Sequence, residues 1–344
     1  MRRIIITAAA AALAIAIAAC GSSSSPSATS KSGPSGTLVI SNAQGTQWNR
    51  SFNPFNPAVL GTGVTMGQVY EPLMFVNTLQ SGKVSPWLAS AYAWSDNNKV
   101  LTFTINNGVK FTDGTSMTAA DVAFTFNMLK KFPGLDINSV WSVLQSVTQS
   151  GNQVVFTFNA PSVPYFYYIA DQIPIVPEHI WSTIANPVTY ADSNPIGTGA
   201  FMVQSCTPQN ITYVANPHYW QPGLPKVAKV LYPAFTSNDP ANTYLATGQA
   251  QWGSQFIPNI QAVYAAKSPN NHYWFAPIAN VSLIPNLTVP GLNNVAVRQA
   301  MAYAIDRNKV SQIGEYGEEP PANQNAIVNS FSSWMDPQAA AQYP

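Results

Sequence analysis

The side chains able to do chemistry in this chain of 344 residues are few and far apart. His179, His218 and His272 are its three histidines, and none stands at metal-ligand spacing from a cysteine, an acid or another histidine. No serine sits in a nucleophile-elbow pattern, and neither a phosphate loop nor a dinucleotide fingerprint occurs. Gly197-Thr198-Gly199 comes nearest to a phosphate cradle, but no helix with a following lysine accompanies it, so a tight turn is the expectation. Catalytic residues, metal and cofactor are therefore all expected to be none. Rings are abundant instead: 9 Trp, 15 Tyr and 16 Phe stand beside a charged share of 8%, where about 25% is usual. A site made from such residues holds its ligand by stacking and neutral hydrogen bonds rather than by ion pairs. Aromatics also fill β-rich cores, which accounts for most of these. The net charge of +1 excludes a nucleic-acid partner from the expectation.

The two cysteines differ in setting. Arg2 and Arg3 precede an apolar run from Ile4 to Ala19 that is too short and Ala-rich for a membrane span, which predicts a signal peptide over residues 1–19. Ile17-Ala18-Ala19-Cys20 matches the lipobox of bacterial lipoproteins, in which the thiol takes a diacylglycerol; Cys20 is the predicted lipidation site. Two acyl chains anchor stably where one is marginal. Residues 20–36, rich in Ser, Gly and Pro with no apolar period, read as a disordered tether. Cys206 then has no intramolecular partner, and is either a buried small hydrophobe or a reactive thiol.

The elements that must position any site are clearest between Pro86 and Leu129. Leu101, Phe103 and Ile105 alternate with Val100, Thr102 and Thr104, which predicts a half-buried strand. Ser95 to Asn98 before it and Asn106 to Gly108 after it are turn formers, so two hairpin corners are expected, with Val109 to Phe111 resuming the extended chain. Thr118 with Asp121 forms a capping-box variant that starts a helix, and Val122, Phe126 and Leu129 share its apolar face. Gln153 to Phe158 repeats the strand pattern and is expected beside Val100 to Ile105. Thr37 to Ser41 reads as a first strand, Tyr244 to Gly248 as a short helix with its stop, and Gln249 to Phe256 as strand or loop. In the helix near residue 300, Val297, Met301 and Ala304 share one face, Arg298 and Gln299 lie on the solvated side, and Asp306 caps the helix that follows.

Trp94-Ser95-Asp96, Leu101 to Ile105, Gly108 to Phe111, Asp113-Gly114 and Thr118 to Phe126 resemble the signature region of the family 5 solute-binding proteins. Further likeness lies in Phe52 to Pro57, Val69 to Met74, Pro195 to Val203, Tyr213 to Trp220 and Asn293 to Val310, in the family's order. The resemblance implies a mixed α/β (α+β) fold of the bilobal periplasmic-binding-protein-like type, with an extra β-rich subdomain in lobe I. It implies lobe I over residues 37–282, the subdomain insertion at about 80–197, and the start of lobe II over 283–344. It also implies a receptor that is no enzyme, works as a monomer, and delivers a solute to the permease of an ABC-type importer; the lipobox at Cys20 adds the expectation that it is anchored to the outer face of the cell membrane. In the resembled family the loop after the first strand lines the cleft. The expected ligand-binding residues are Gln44, Trp48, Asn53, Phe55 and Thr62 along and after that loop, with the aromatic Trp252 and Phe256 also near the presumed cleft. An oligopeptide is the leading solute and an oligosaccharide the alternative; a surface adhesin is the rival from another class, and an exported hydrolase stands third. Full members of the family continue beyond the helix at Asn294 to Ile305. The sequence is thus expected to be a fragment with an incomplete second lobe, or else a shortened protein that covers its open surfaces in another way.

Overall fold

The computed structural model describes residues 33–41, 47–56, 64–275, 282–322, 336 and 338. The expected signal peptide, Cys20 and most of the tether lie outside the described residues, as do Gln44 and Thr62.

A five-stranded mixed sheet forms the frame of the site. β1 (Ser35–Ser41) runs parallel to β10 (Val227–Pro233) on one side and to the short β11 (Trp252–Gly253) on the other; β9 (Asn210–Ala215) and β8 (Phe201–Thr207) continue the sheet antiparallel. Ile211, Tyr213 and Val230 point into the core while their neighbours do not, the period of two that a one-sided sheet requires.

A second, antiparallel sheet has the order β4 (Ala89–Ser95), β5 (Val100–Ile105), β7 (Gln153–Phe158) and β6 (Leu144–Ser150). Between them, β2 (Met74–Asn77) and β3 (Lys83–Pro86) make a separate hairpin. The expected alternation holds: Leu101, Phe103 and Ile105 are buried, and β5 pairs with β7 in register Phe103↔Val154. Asp96, Asn97 and Asn98 all take positive φ at the β4–β5 corner, a conformation Asn and Asp tolerate. The second corner differs from expectation. Val109 to Phe111 make no strand, because Phe111 N–H bonds Thr115 O and Thr112 N–H bonds Gly197 O, leaving one isolated bridge, Lys110↔Ser116.

α1 (Ala119–Lys131) begins at Thr118 with a complete capping box. Asp121 Oδ2 accepts from Thr118 N–H at 2.8 Å, while Thr118 Oγ1 accepts from Ala120 N–H at 3.2 Å. Asp121 Oδ1 also accepts from Glu178 N–H, tying α1 to α3 (Glu178–Trp181). Val122, Phe126 and Leu129 are fully buried against the second sheet, and Phe126 meets Phe156 edge-on at 4.7 Å. Burying side chains of this size contributes ~1.5–3 kcal/mol each. α2 (Phe166–Ala170) closes the same core, with Phe166 stacked on Phe103.

The chain passes between the two sheets twice, at residues 66–72 and 195–201, and the two passes lie in direct backbone contact. Gly199 N–H bonds Val69 O and Phe201 N–H bonds Gln68 O. A Cβ on Gly197 would stand 2.0 Å from Val69 O, and one on Gly199 2.2 Å from Gln68 O. These glycines therefore serve close approach, not the tight turn their spacing suggested; neither has positive φ.

The last described helices are α4 (Asn238–Ala246), α5 (Ile260–Val263), α6 (Val295–Ala304) and α7 (Arg307–Gly314). Asp306 caps α7 by accepting from Lys309 N–H, as expected, and Asn294 caps α6 by accepting from Ala296 N–H. The face assignment of α6 is corrected: Val297 is exposed, whereas Arg298 and Gln299 are half-buried. Arg298 turns back to donate to Leu292 O at 2.8 Å, which draws its side of the helix inward.

Candidate functional site

In sheets with parallel strands, ligands gather outside the carboxyl ends of those strands. Here that edge lies where β1 and β11 run side by side, Ile40 opposite Trp252 and Ser41 opposite Gly253. The edge is held firmly. Gln251 N–H donates to Val39 O and Gln251 Oε1 accepts from Val39 N–H at 2.9 Å, so one residue fixes β11 to β1 from both sides. Gly253 is required there, since a Cβ would meet Ser41 O and Leu245 Cδ2 at 2.9 Å.

Trp252 and Phe256, both expected at the site, stand on this edge with much of their rings in solvent. Phe256 is steadied by Asn242, whose Nδ2 donates to Phe256 O at 3.1 Å. Ser41 Oγ donates to Gln255 Oε1 at 3.3 Å. Trp274, which sequence reasoning did not single out, packs against Trp252 with ring centroids 5.0 Å apart and planes at 52°. Its segment is fastened to the rest by Asn271, which donates to Ala246 O and Tyr264 O, and by Tyr264 Oη, which donates to His272 O. Only the count of tryptophans, not their spacing, hinted at this pair.

Three other expected residues lie elsewhere. Trp48 is 4% exposed and its indole N–H donates to Tyr232 O at 2.9 Å. Asn53 is fully buried; its Nδ2 bonds Pro187 O and Tyr190 O, and its Oδ1 accepts from Phe55 N–H. Phe55 packs edge-on against Trp181 at 5.7 Å. Asn53 and Phe55 thus staple the stretch 181–190 to the frame, with both side chains buried.

The strongest electrostatic features are two buried carboxylates on either side of the crossing. Glu71 accepts from Trp87 Nε1 at 2.9 Å, Tyr219 Oη at 2.8 Å and Trp220 Nε1 at 3.0 Å. Burial pushes its pKa up although these donors pull it down. Beside it, Tyr70 Oη donates to Asp192 Oδ2 at 2.5 Å. Burial raises Asp192 from 3.8 to about 6 despite bonds from Tyr70 and Tyr190. Both acids are closed off from solvent and spent on internal donors, so they join chain segments rather than meet a ligand.

His179 Nε2 lies 2.8 Å from Asp113 Oδ2 on the surface. Burial raises Asp113, but the Thr115 donors and His179 outweigh it and hold the carboxyl below its usual range. Among the described residues no group of three metal-ligating side chains assembles, and no helix is long and apolar enough to cross a membrane. Cys206 is a half-buried thiol packed against the core, raised by burial, which fits the small-hydrophobe alternative.

A sequence model described as bacterial extracellular solute-binding proteins, family 5 Middle, matches residues 83–344. The glutathione-binding protein of Salmonella typhimurium is 26% identical over 276 residues, covering 76% of this chain and 52% of that protein. The chain therefore spans about half the length of this curated relative. Among solved structures, a periplasmic oligopeptide-binding protein of an ABC transporter from Thermotoga maritima is 27% identical, with a TM-score of 0.75 over 88% of this chain and 61% of that one. A mannohexaose-bound structure of the Thermotoga protein superposes with a TM-score of 0.74 at 28% identity.

Proposed function

Because the chain belongs to the family 5 bacterial extracellular solute-binding proteins, we propose that it is a receptor that binds an oligomeric solute outside the cytoplasm and passes it to the permease of an ABC-type importer. The observation that carries this reading is the rigid, uncharged aromatic edge at the carboxyl ends of β1 and β11, where Trp252 and Phe256 face solvent. An oligopeptide is the leading solute class, supported by relatives whose names include glutathione and oligopeptides. The oligosaccharide is a second reading, favoured by the stacking surface and by the mannohexaose bound to the Thermotoga protein.

The protein acts by binding, as a monomer, and not by catalysis. Residues 37–282 form the first lobe and 283–344 the start of the second. Cys20 carries the lipid that keeps the receptor at the outer face of the cell membrane.

Thermal unfolding against panels of neutral oligopeptides and oligosaccharides tests the reading. A true solute at about a hundred times its Kd adds ~2.7 kcal/mol of stability. A melting temperature unmoved by every member of both panels counts against a solute receptor. Labelling with a fatty-acid analogue tests the anchor: Cys20→Ala is expected to abolish incorporation, and continued labelling overturns the lipid assignment.

A further inference from the structure

Resting on the receptor reading above, we infer that Trp252 and Trp274 form a ring-stacking subsite that takes successive uncharged rings of the solute, either pyranose rings or prolyl and aromatic side chains. The two indoles are 49% and 57% exposed although they touch. At 5.0 Å their centroids are in direct contact range, so nothing enters between them. What they offer is two adjoining outer faces at 52° to one another, one ring of a linear oligomer to each.

The surface is built in advance of any ligand. Trp252 sits on β11, clamped by Gln251 and by the close packing of Gly253. Trp274 follows Asn271, whose amide reaches α4 and Tyr264. Holding both rings in place lowers the ordering cost of binding. Leaving two tryptophans half in water forgoes apolar burial that a covering ligand recovers.

Charge decides which rings fit. From Pro240 to Ala266 the sequence contains no Asp, Glu, Lys or Arg, and Lys267 is the single charge before Trp274. A wall with no ionic partner penalises a charged side chain that must shed water to lie on it.

The chain labelled with 5-fluorotryptophan provides the test, with Trp252 and Trp274 resonances assigned through Trp252→Phe and Trp274→Phe. Cellohexaose, hexaproline, trilysine and triglutamate are titrated to about 10 mM, a range that detects binding as weak as the millimolar level. The expected result is a shift of both resonances with cellohexaose or hexaproline and not with the charged peptides; Trp274→Ala weakens the active ligand at least ~10-fold, about 1.4 kcal/mol, and Trp274→Phe keeps most of the affinity. Shifts with cellohexaose alone assign pyranose rings, and with hexaproline alone prolyl rings. Shifts confined to other tryptophans, equal shifts with the charged peptides, or unchanged affinity of Trp274→Ala overturn the subsite and leave the receptor standing. If no tryptophan responds to any of the four, the subsite is overturned, and the receptor reading falls only if the thermal-unfolding panels of neutral oligopeptides and oligosaccharides are silent as well.

Discussion

Asp192 shows how a single residue stores pH dependence. Its folded pKa of about 6 exceeds the ordinary 3.8, so the native state holds the proton more tightly than the unfolded chain. The associated stability is fully present below pH 3.8 and is lost as pH rises through about 6. At ~1.4 kcal/mol per pKa unit the loss amounts to at most ~3 kcal/mol. Asp192→Asn keeps an acceptor for Tyr70 and cannot titrate. Urea unfolding is expected to find it more stable than the parent near pH 8 and without that advantage near pH 4; a difference independent of pH would refute the assignment. Glu71 is raised in the same direction, which is why the comparison is between the variant and its parent rather than of the slope alone. Replacing Glu71 by Leu strands two indole N–H groups and a phenol. Buried unpaired donors cost ~1–3 kcal/mol each, so the unfolding free energy from urea titration should fall by at least ~2 kcal/mol, and a neutral substitution would show the cluster to be solvated. Neither acid was legible as a partner in the sequence. Asp121 was, because its capping partner lies three residues away, while Glu71 meets donors 148 and 149 residues distant.

Elements were readable wherever the pattern was local. The period of two in Val100–Ile105 and the capping box of α1 both depend on neighbours within a few residues, and both form. Val109 to Phe111 have the composition of a strand, but Phe111 N–H bonds Thr115 O and Met117 N–H bonds Val109 O, a corner so tight that only Lys110 pairs, with Ser116, and no longer ladder forms. Val297 and Arg298 exchange places because helical periodicity marks an apolar face, yet cannot say whether anything lies against it. The two passes between the sheets are the sharpest case. Gly197 and Gly199 look like turn glycines in one dimension and are contact glycines in three. Gly199→Ala would drive a methyl to 2.2 Å from Gln68 O, backbone that cannot step aside without breaking the bonds from Gly199 and Phe201. Overpacking of this kind costs ~1–3 kcal/mol or more, and the variant should unfold at clearly lower urea. As a control, Gly134→Ala meets only the Val188 side chain at 3.4 Å and should be nearly neutral. Equal stability of the two variants would mean that the passes can separate.

Across the whole molecule, the buried residues are unevenly placed. The fully buried aromatics and aliphatics fall between Phe52 and Val230, under both sheets and at their crossing. In residues 282–322, Ser311 is the one described residue in the buried class, and Leu283, Ile284, Val295, Tyr303, Val310 and Ile313 all face water. The helices there have caps but little packing, and a short helix without a packed face is marginal in water. Local stability follows buried apolar contact. The candidate site sits at the boundary between these regimes, on β11 and the segment that carries Trp274, rigid toward β1 and free on its outer side. Aromatic abundance announced such a site, but the sequence could not tell Trp48, which hangs from Tyr232 O in the core, from Trp252, since both lie in polar, Gly-containing stretches. Limited proteolysis separates the two regimes directly. Cleavage is expected first within residues 282–322, leaving a resistant core that includes residues 64–233. A ligand that covers the Trp252–Trp274 edge should slow cuts beside Trp274 more than those in α7. First cuts within β5, β7 or α1 would show that the distribution of buried side chains does not govern local stability here.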